Sequence, residues 1–245
     1  MTSAPDYVEV RPPRALRAFV ERFWIHRVTG PPSERRLLPD GRMHLVWIAE
    51  LGLRVAGPAQ APMSHPRLEA MLAIGATFHP GAAPYLLRVA ASDLVDRRVH
   101  VDAIDPLLAR EVDDALGTAP DPRSATIAFA LLLRRHVARL ADAPDPAVRH
   151  AVALLDGNPR ATVGGVATKT SISERELQRR FVRDVGYAPK TLQRVLRLQR
   201  FLDVRAVGDL AGAAALAGYA DQAHLSREAR RLTGLTAREL LAYEH

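Results

Sequence analysis

The sequence predicts an α+β protein of two domains: an antiparallel β-barrel with a helical linker, followed by an all-α domain. Three observations predict this class. The chain has 245 residues, which is enough for two cores of ordinary size. Short apolar or alternating runs, separated by Gly, Pro and Asp, fill residues 14–104. Helical spacing dominates afterwards, and the stretch ADAPDP places the boundary between residues 1–143 and 144–245.

The strands of the first domain are predicted from five apolar runs. Turn residues separate these runs at Pro39-Asp40-Gly41, at Gly57-Pro58 and at His79-Pro80-Gly81. The runs are RFWIHRV, MHLVWIA, GLRVAG, MLAIGATFH and RRVHVDAI. Several short strands in a segment of this size favour an antiparallel sandwich or barrel.

Two helices complete the first domain. Asp105-Pro106 combines an N-capping side chain with proline in the first turn, and Gly117 ends this helix. Asp121-Pro122 starts a second helix, which we expect to run to about Asp142. A helical segment therefore covers about residues 105–142.

The second domain contains a short helix over Thr162–Lys169 and a second helix that ends near Gly186. Ser173 and Glu176 at the start of the second helix fit a capping box, in which each side chain bonds the other residue's backbone amide. Two short helices joined by a tight turn are the helix-turn-helix pattern.

This unit occurs twice, at an offset of about 48 residues, and such a repeat predicts duplicated structural units. Each copy is followed by another helix start, at Ala188-Pro189 and at Thr236–Glu239, the latter again a capping box. One helix from Pro189 to about Asp203 joins the copies, so we expect a fixed distance between them. Matching pairs include Leu177 with Leu225, Arg179 with Arg227, Arg183 with Arg231, Gly186 with Gly234, and Leu192 with Leu240.

Positive charge is concentrated in this repeat. The chain has a formal net charge of +7, and the segment Lys169–Arg200 alone contains nine basic and three acidic residues. Nearly all of the basic residues are arginines, which suit forked contacts with guanine and phosphate. A polyanionic partner is therefore plausible, although a genome that favours arginine codons explains the composition equally well.

Composition also excludes several classes of protein. The chain has no cysteine, which excludes disulfides, thiolate zinc sites, iron–sulfur clusters, cysteine nucleophiles and the DNA-repair methyl acceptors. Histidines occur singly, so we expect no metal. Since neither a metal pattern nor a cysteine nucleophile is present, we also expect no cofactor, no catalytic residues and no enzyme. No apolar run approaches roughly 18 residues and the N-terminus lacks signal-peptide features, so we expect a cytoplasmic protein without membrane contact.

The repeat resembles the AraC/XylS family of bacterial transcription regulators. The resemblance is carried by SISERELQRRFVRDVGYAPKTLQRVLRLQRF in the first copy and ALAGYADQAHLSREARRLTGLTARELL in the second. It implies a seven-helix module in which each copy places one recognition helix in the DNA major groove, one DNA turn apart. The phrases PPRALRAFVERFWIH, LLPDGRMHLVWI and IGATFHPGAAPYLLRVAASDLVDRRV are similar to a cupin-like sensor domain of unassigned ligand in the same family.

The resemblance implies two sets of DNA-contacting residues. The base-contacting set is Arg175, Gln178 and Arg179 in the first copy and His224, Ser226 and Arg227 in the second. The phosphate-contacting set is Arg183, Lys190, Thr191, Arg230, Arg231 and Thr236. Arginine suits the guanine edge and glutamine the adenine edge, so we expect the first copy to dominate base readout. The alternative is that each arginine belongs to a solvated helix face. At the position of the second copy that matches Phe181, the family usually has an aromatic residue, but this chain has Ala229. We therefore expect looser packing in the second copy.

For the first domain, an effector pocket is predicted from Trp24, His44, Trp47, Phe78 and Tyr85, since such pockets combine apolar walls with a few polar groups. The alternative is that these residues simply fill the barrel. The leading hypothesis is a regulator with double-stranded DNA, a small-molecule effector, RNA polymerase and a second copy of the chain as partners. Two alternatives stay open: a ligand-independent DNA-binding regulator whose β domain only dimerises, and a cupin-type enzyme fused to a DNA reader.

Overall fold

The computed structural model describes residues 7–28, 33–67, 71–205 and 209–243. The strands are β1 (Tyr7–Val10), β2 (Val20–Val28), β3 (Ser33–Leu37), β4 (Met43–Ile48), β5 (Gly52–Ala56), β6 (Met63–Arg67), β7 (Met71–Phe78) and β8 (Arg98–His100). The α-helices are α1 (Ala83–Leu87), α2 (Pro106–Gly117), α3 (Pro122–Val137), α4 (Pro146–Gly157), α5 (Val163–Lys169), α6 (Glu174–Val185), α7 (Pro189–Val204), α8 (Leu210–Leu216), α9 (Gln222–Thr233) and α10 (Ala237–Leu241). Seven of the eight strands precede every α-helix, and helices alone follow β8 in the described ranges, which confirms the predicted α+β class.

Six strands form one antiparallel sheet in the order β1-β2-β7-β4-β5-β8, and β3 pairs with β6 separately. The five predicted runs correspond to β2, β4, β5, β7 and β8. The predicted barrel is wrong in one respect, since no pairing between β1 and β8 closes the sheet within the described residues. Instead, α2 and α3 cover one face of the sheet, so that face is buried without closure.

Strand alternation divides the sheet into two different faces. On one face Phe23 packs against Phe129 of α3, with ring centroids 5.8 Å apart at 70°. Leu45 and Ile74 belong to the same cluster and are fully buried. The opposite face carries a smaller apolar cluster, formed by Val28, Ile48, Met71 and Ala73 with Trp24 and Val46 packed against it. The first face is the main core of the N-terminal part of the chain.

Helix α2 begins as predicted, because the Asp105 side chain accepts a hydrogen bond from the backbone amide of Leu108. Helix α3 ends earlier than predicted, at Val137 instead of about Asp142. There the backbone tightens into shorter hydrogen-bonded turns, with Leu140 N donating to Val137 O over 3.2 Å.

The predicted repeat is present as two similar pairs of helices, α5 with α6 and α8 with α9. Both second helices have 12 residues and end at a glycine in the left-handed region, Gly186 (φ +95°) and Gly234 (φ +70°). The connecting helix α7 has 16 residues and is therefore roughly 24 Å long. The capping box of Thr236 and Glu239 is confirmed, with both hydrogen bonds formed.

The two units have separate cores. Phe181 is fully buried in the first, and Ala229 is fully buried at the matching position of the second. Buried rings of Phe201 and Tyr219 lie in the cluster that contains Ala229. The aromatic residue missing from α9 is therefore replaced by rings from α7 and from the turn between α8 and α9.

Candidate nucleic-acid interface

The recognition helix of the first unit, α6, presents a polar face to solvent. Arg175, Gln178 and Arg179 are exposed, while Leu177 and Phe181 are buried on the other side. Spacing of three and four residues produces this division, because it places side chains on one side of a helix. The predicted base-contacting residues of the first unit therefore share one accessible surface.

An ion-pair cluster at the start of α6 differs from the predicted capping box. Ser173 accepts a hydrogen bond from the amide of Glu176 as expected. The Glu176 carboxylate, however, accepts two hydrogen bonds from Arg179, at 2.9 and 2.7 Å, and one from Arg180 Nε at 2.7 Å. These bonds, first from Arg179 and then from Arg180, lower the pKa of Glu176 to about 2. The second half of the box is replaced by charge-assisted bonds, which are the stronger ones.

At the other end of α6, Arg183 joins the two domains instead of lying free in solvent. Its Nη2 donates to Asp184 Oδ2 over 2.8 Å and to the Tyr85 hydroxyl of α1 over 3.3 Å. Tyr85 in turn donates to Asp184 Oδ2 over 3.2 Å and accepts from the backbone amide of Asp145 over 3.1 Å. Asp184 is only 2% exposed. The hydrogen bonds that Arg183 donates to the Asp184 carboxylate are the main reason why the pKa of Arg183 is raised.

In the recognition helix of the second unit, α9, two of the three predicted base-contacting side chains already form local contacts. Arg227 is exposed, but Ser226 donates to Gln222 O over 2.9 Å within the helix. His224 accepts from the amide of Ala220 over 3.3 Å, and its ring lies edge-on to Tyr219 with centroids 5.3 Å apart. The His224 side chain therefore stabilises the turn before α9, and the Ser226 side chain bonds to the backbone of α9 itself.

An open groove lies beside α9. Ser226 and Arg230 line it together with Thr236 and Arg238 at the start of α10. Arg227 and Arg231 line a neighbouring shallow groove. The structure thus brings together five of the residues predicted in the second unit. Arg238 was missed although it matches Lys190 at the repeat offset of 48 residues, and that match is the sequence signal that could have identified it.

Helix α7 links the two units through polar contacts. Arg194 forms a two-pronged ion pair with Glu228 of α9, at 2.5 and 2.9 Å. Burial opposes ionisation of Glu228, but the hydrogen bonds and charge of Arg194 outweigh it and lower the pKa of Glu228.

Lys190 is exposed and donates to Gln193 over 3.1 Å, and Thr191 is half-buried beside it. Both predicted phosphate contacts of α7 thus lie at its N-terminal end.

The loop between β3 and β4 binds the same connecting helix. Gln199 of α7 donates to Pro39 O over 2.6 Å. Gly41 has a φ of +79°, and a Cβ there would lie 2.8 Å from Leu192. The predicted turn Pro39-Asp40-Gly41 therefore acts as a contact between domains, and its glycine permits both the left-handed backbone and the close approach.

The five predicted pocket residues occupy three different environments. Trp24 and His44 lie on the sheet face opposite the helices, where Trp24 Nε1 donates to Thr77 Oγ1 over 3.2 Å and His44 Nδ1 lies 3.1 Å from the same oxygen. Trp47 and Phe78 are buried in the main core. Tyr85 lies at the contact with α6. The structure does not bring these five side chains together in one place.

In the ranges that the structure describes, no three histidine, aspartate or glutamate side chains converge on a possible metal position. No helix in the same ranges combines the length and the apolar character that crossing a membrane requires.

Comparisons with known families match both parts of the chain. Residues 166–243 match a helix-turn-helix domain family, over the two units described above. The chain is a DNA-binding transcription regulator with a helix-turn-helix domain. Residues 8–100 of this regulator match a domain family of unknown function, which covers the six-stranded sheet. No curated protein matches the chain.

Among solved structures, the chain is similar to the C-terminal domain of AraT, a response regulator from Geobacillus stearothermophilus (18% identity, 40% of this chain and 85% of that chain, TM-score 0.38). It is also similar to a probable AraC family transcriptional regulator from Rhodopseudomonas palustris CGA009 (25%, 40% and 96%, 0.36). An apo form of a ToxT variant from Vibrio cholerae is similar over both domains (10%, 90% and 97%, 0.51). At this identity the likeness to ToxT concerns the fold alone.

Proposed function

We propose that this regulator binds promoter DNA through residues 144–245 and is controlled by a small molecule that binds residues 1–143. The observation that carries the proposal is the combination of features on α6. One end of this helix exposes Arg175, Gln178 and Arg179, while its other end is bonded to the N-terminal domain through Tyr85 and Asp184.

For DNA recognition, we assign the two units different weights. Arg175, Gln178 and Arg179 offer long donors for base edges, whereas Arg227 is the exposed member of the predicted set in the second unit. His224 and Ser226 are assigned minor base contacts. Lys190, Thr191, Arg230, Arg231 and Thr236 are assigned to phosphates, which position the protein without reading sequence.

Arg183 has a more specific role in the proposal. Because Nε and Nη2 of its guanidinium bond to Asp184 and Tyr85 while the side chain stays half exposed, a phosphate contact at Arg183 would couple DNA binding to the contact between the domains. A ligand that shifts α1 or the loop between β3 and β4 would change the freedom of α6 and α7. The ligand would control DNA binding if it binds more tightly to one of two states of the protein, the state with the contact between the domains formed or the state with it broken.

The remaining partners are also part of the proposal. Helix α3 exposes Ile127 and Leu131, which are 55% and 50% accessible, and we assign this stripe to contact with a second copy of the chain. RNA polymerase is the expected target when the promoter-bound protein activates. We assign no catalytic reaction to the chain and place it in the cytoplasm, with the DNA. One solved form of ToxT carries (E)-4-(8-methylnaphthalen-1-yl)but-3-enoic acid, and we extend the idea of a small effector to this chain.

Sequencing the genomic fragments retained by the purified full chain, with random-sequence DNA as competitor, tests the function. We expect enrichment of fragments that share one motif, and an affinity that falls steeply with salt. The double variant Arg175→Ala/Arg179→Ala is the matched control and should lose the enrichment. Retention of fragments without any common motif by the wild-type chain would contradict the proposal.

A further inference from the structure

We infer that the sheet face opposite the helices binds a small monocarboxylate with an apolar body, and that Arg54 and Arg98 bind its carboxylate. This inference rests on the proposed function, because it names the chemical class of the effector.

Strand register places the two arginines together. Arg54 of β5 pairs with His100 of β8, and Ala56 pairs with Arg98. Arg54 and Arg98 are therefore diagonal neighbours on one face, with about 7–8 Å between their backbones. Leu53 and Val55 point to the other face and are buried in the main core.

Neither arginine has a counter-ion in the described part of the chain. Both side chains are half-buried, and each Nε is buried without a hydrogen-bond partner. Burial, followed by the positive charge of Arg54, lowers the pKa of Arg98. Elsewhere in the domain the pattern is different, since Arg22 and Arg42 each form an ion pair with Glu21. Two adjacent, partly desolvated cations without an acid are a favourable place for an anion.

An apolar surface leads away from this cation pair. Across the sheet, Arg54 pairs with Val46, Val46 with Gly75, and Gly75 with Trp24. Three steps between strands of about 4.8 Å give roughly 14 Å from Trp24 to Arg54. Trp24 lies over Gly75 so closely that a Cβ there would be 2.2 Å from its ring. The small apolar cluster that includes Val46 continues this surface. Its length and character fit an aryl or short alkyl body with an acid at one end.

The site adjoins the loop that contacts α7. In the next row of the sheet, Arg98 pairs with Ala56 and Ala56 with His44. His44 Nε2 lies 3.0 Å from Asp40, which belongs to the turn bonded to α7. An anion at Arg98 therefore lies two strands from His44, which pairs with the turn that contacts α7 through Pro39 and Gly41. Ligand binding at Arg98 would therefore affect α7 through His44 and this turn.

The test uses the full chain with three probes at constant ionic strength: 4-phenylbutyrate, its uncharged amide, and inorganic phosphate. Thermal unfolding and tryptophan fluorescence are recorded, since a ligand of the native state raises the melting temperature. We expect a saturable response to 4-phenylbutyrate, with no response to the amide and a weaker one to phosphate. Arg54→Gln and Arg98→Gln should each weaken binding at least tenfold, while Arg97→Gln should bind as the wild type does. Arg97 is the control because it is exposed and bonds to Asp93 O.

Several results would overturn the inference. Equal responses to 4-phenylbutyrate and its amide would show that the carboxylate charge is not recognised. Equal responses to 4-phenylbutyrate and phosphate would show that the apolar body is not recognised. The absence of any response to the acid, or unchanged binding by Arg54→Gln, removes the site. Without ligand, Arg98→Gln should melt no lower than wild type, because it relieves repulsion between like charges; a lower melting temperature counts against the unpaired cations. DNA binding is measured on the same samples, and its loss in the wild-type chain would contradict the proposed function instead.

Discussion

The two helix-turn-helix units share helix lengths, caps and terminal glycines, but their surroundings differ. In the first unit, α6 is held at both ends, by Glu176 bonds within the helix and by Tyr85 and Asp184 toward the sheet domain. In the second unit, α9 contacts the sheet domain through Arg36, which donates to Thr233 O over 3.2 Å. Duplication therefore preserved the geometry of the unit, while the N-terminal domain bonds the two copies through different elements, α1 for the first and β3 for the second.

The cores of the units differ in the same way. The first places an aromatic ring on its recognition helix, at Phe181, and the second places it on neighbouring elements, at Phe201 and Tyr219. Recognition helices of equal length thus depend on different neighbours for their position. Substitutions can separate these two arrangements.

The largest expected effect is on stability. Phe181→Ala removes a fully buried ring from the first core and should cost about 3–5 kcal/mol of unfolding free energy. Chemical denaturation of the full chain measures it. Val182→Ala, on an exposed position of the same helix, is the control and should change little. A cost for Phe181→Ala below about 1 kcal/mol would mean that the first unit does not depend on this ring.

A smaller effect is expected at the contact between domains. Tyr85→Phe removes three hydrogen bonds around buried Asp184 and should cost about 1–2 kcal/mol. Hydrogen exchange should become faster at the C-terminal end of α6 and stay unchanged in α9. The matched variant Tyr243→Phe removes the hydroxyl that bonds Arg36 O, and should affect the second unit instead. Equal exchange changes in both units for Tyr85→Phe would argue against a contact specific to the first.

Releasing the arginines of α6 should increase DNA affinity. Glu176→Gln removes the carboxylate that holds Arg179 and Arg180, and also a negative charge beside the DNA surface. We expect affinity to rise by about three- to tenfold at low salt, with a steeper salt dependence. Fluorescence anisotropy with a labelled duplex measures both. Glu174→Gln, an exposed neighbour on the same helix, controls for charge alone, and an equal rise in both variants would rule out release of the arginines as the cause.

The smallest effect is expected for a phosphate contact. Lys190→Ala should weaken specific and random duplexes to the same degree, by about 0.5–1 kcal/mol, and should reduce the salt slope by about 1. Competition binding at several salt concentrations tests this. A loss confined to the specific duplex would assign Lys190 to base recognition.

Local features of the fold were predictable from sequence, and long-range ones were not. The N-caps at Asp105 and Thr236 and the repeat offset depend on residues a few positions apart, so the pattern defines them. The hydrogen bond between Tyr85 and Asp184 joins residues 99 positions apart, and no local sequence pattern predicts it. Glu176 was misassigned for a local reason: two arginines one turn away compete with the amide of Ser173 and form stronger bonds.

For the candidate sites, too, local features were predictable from sequence and long-range ones were not. Helical spacing placed Arg175, Gln178 and Arg179 on one exposed face. The pocket prediction treated aromatic residues as one group, although neighbouring positions on a strand point to opposite faces of the sheet. Trp47 and His44 therefore lie on different sides, and Arg54 and Arg98 become neighbours only through the pairing of β5 with β8.

We propose that the two units read different parts of one DNA site. Selection of bound sequences from a random duplex library tests it most directly, with the wild-type chain, Arg179→Ala and Arg227→Ala in parallel. We expect Arg179→Ala to lose base preference at one position, at a cost of about 1–3 kcal/mol, and Arg227→Ala to lose a weaker preference about one DNA turn away. Loss at the same position in both variants, or equal losses on specific and random DNA, would contradict the account.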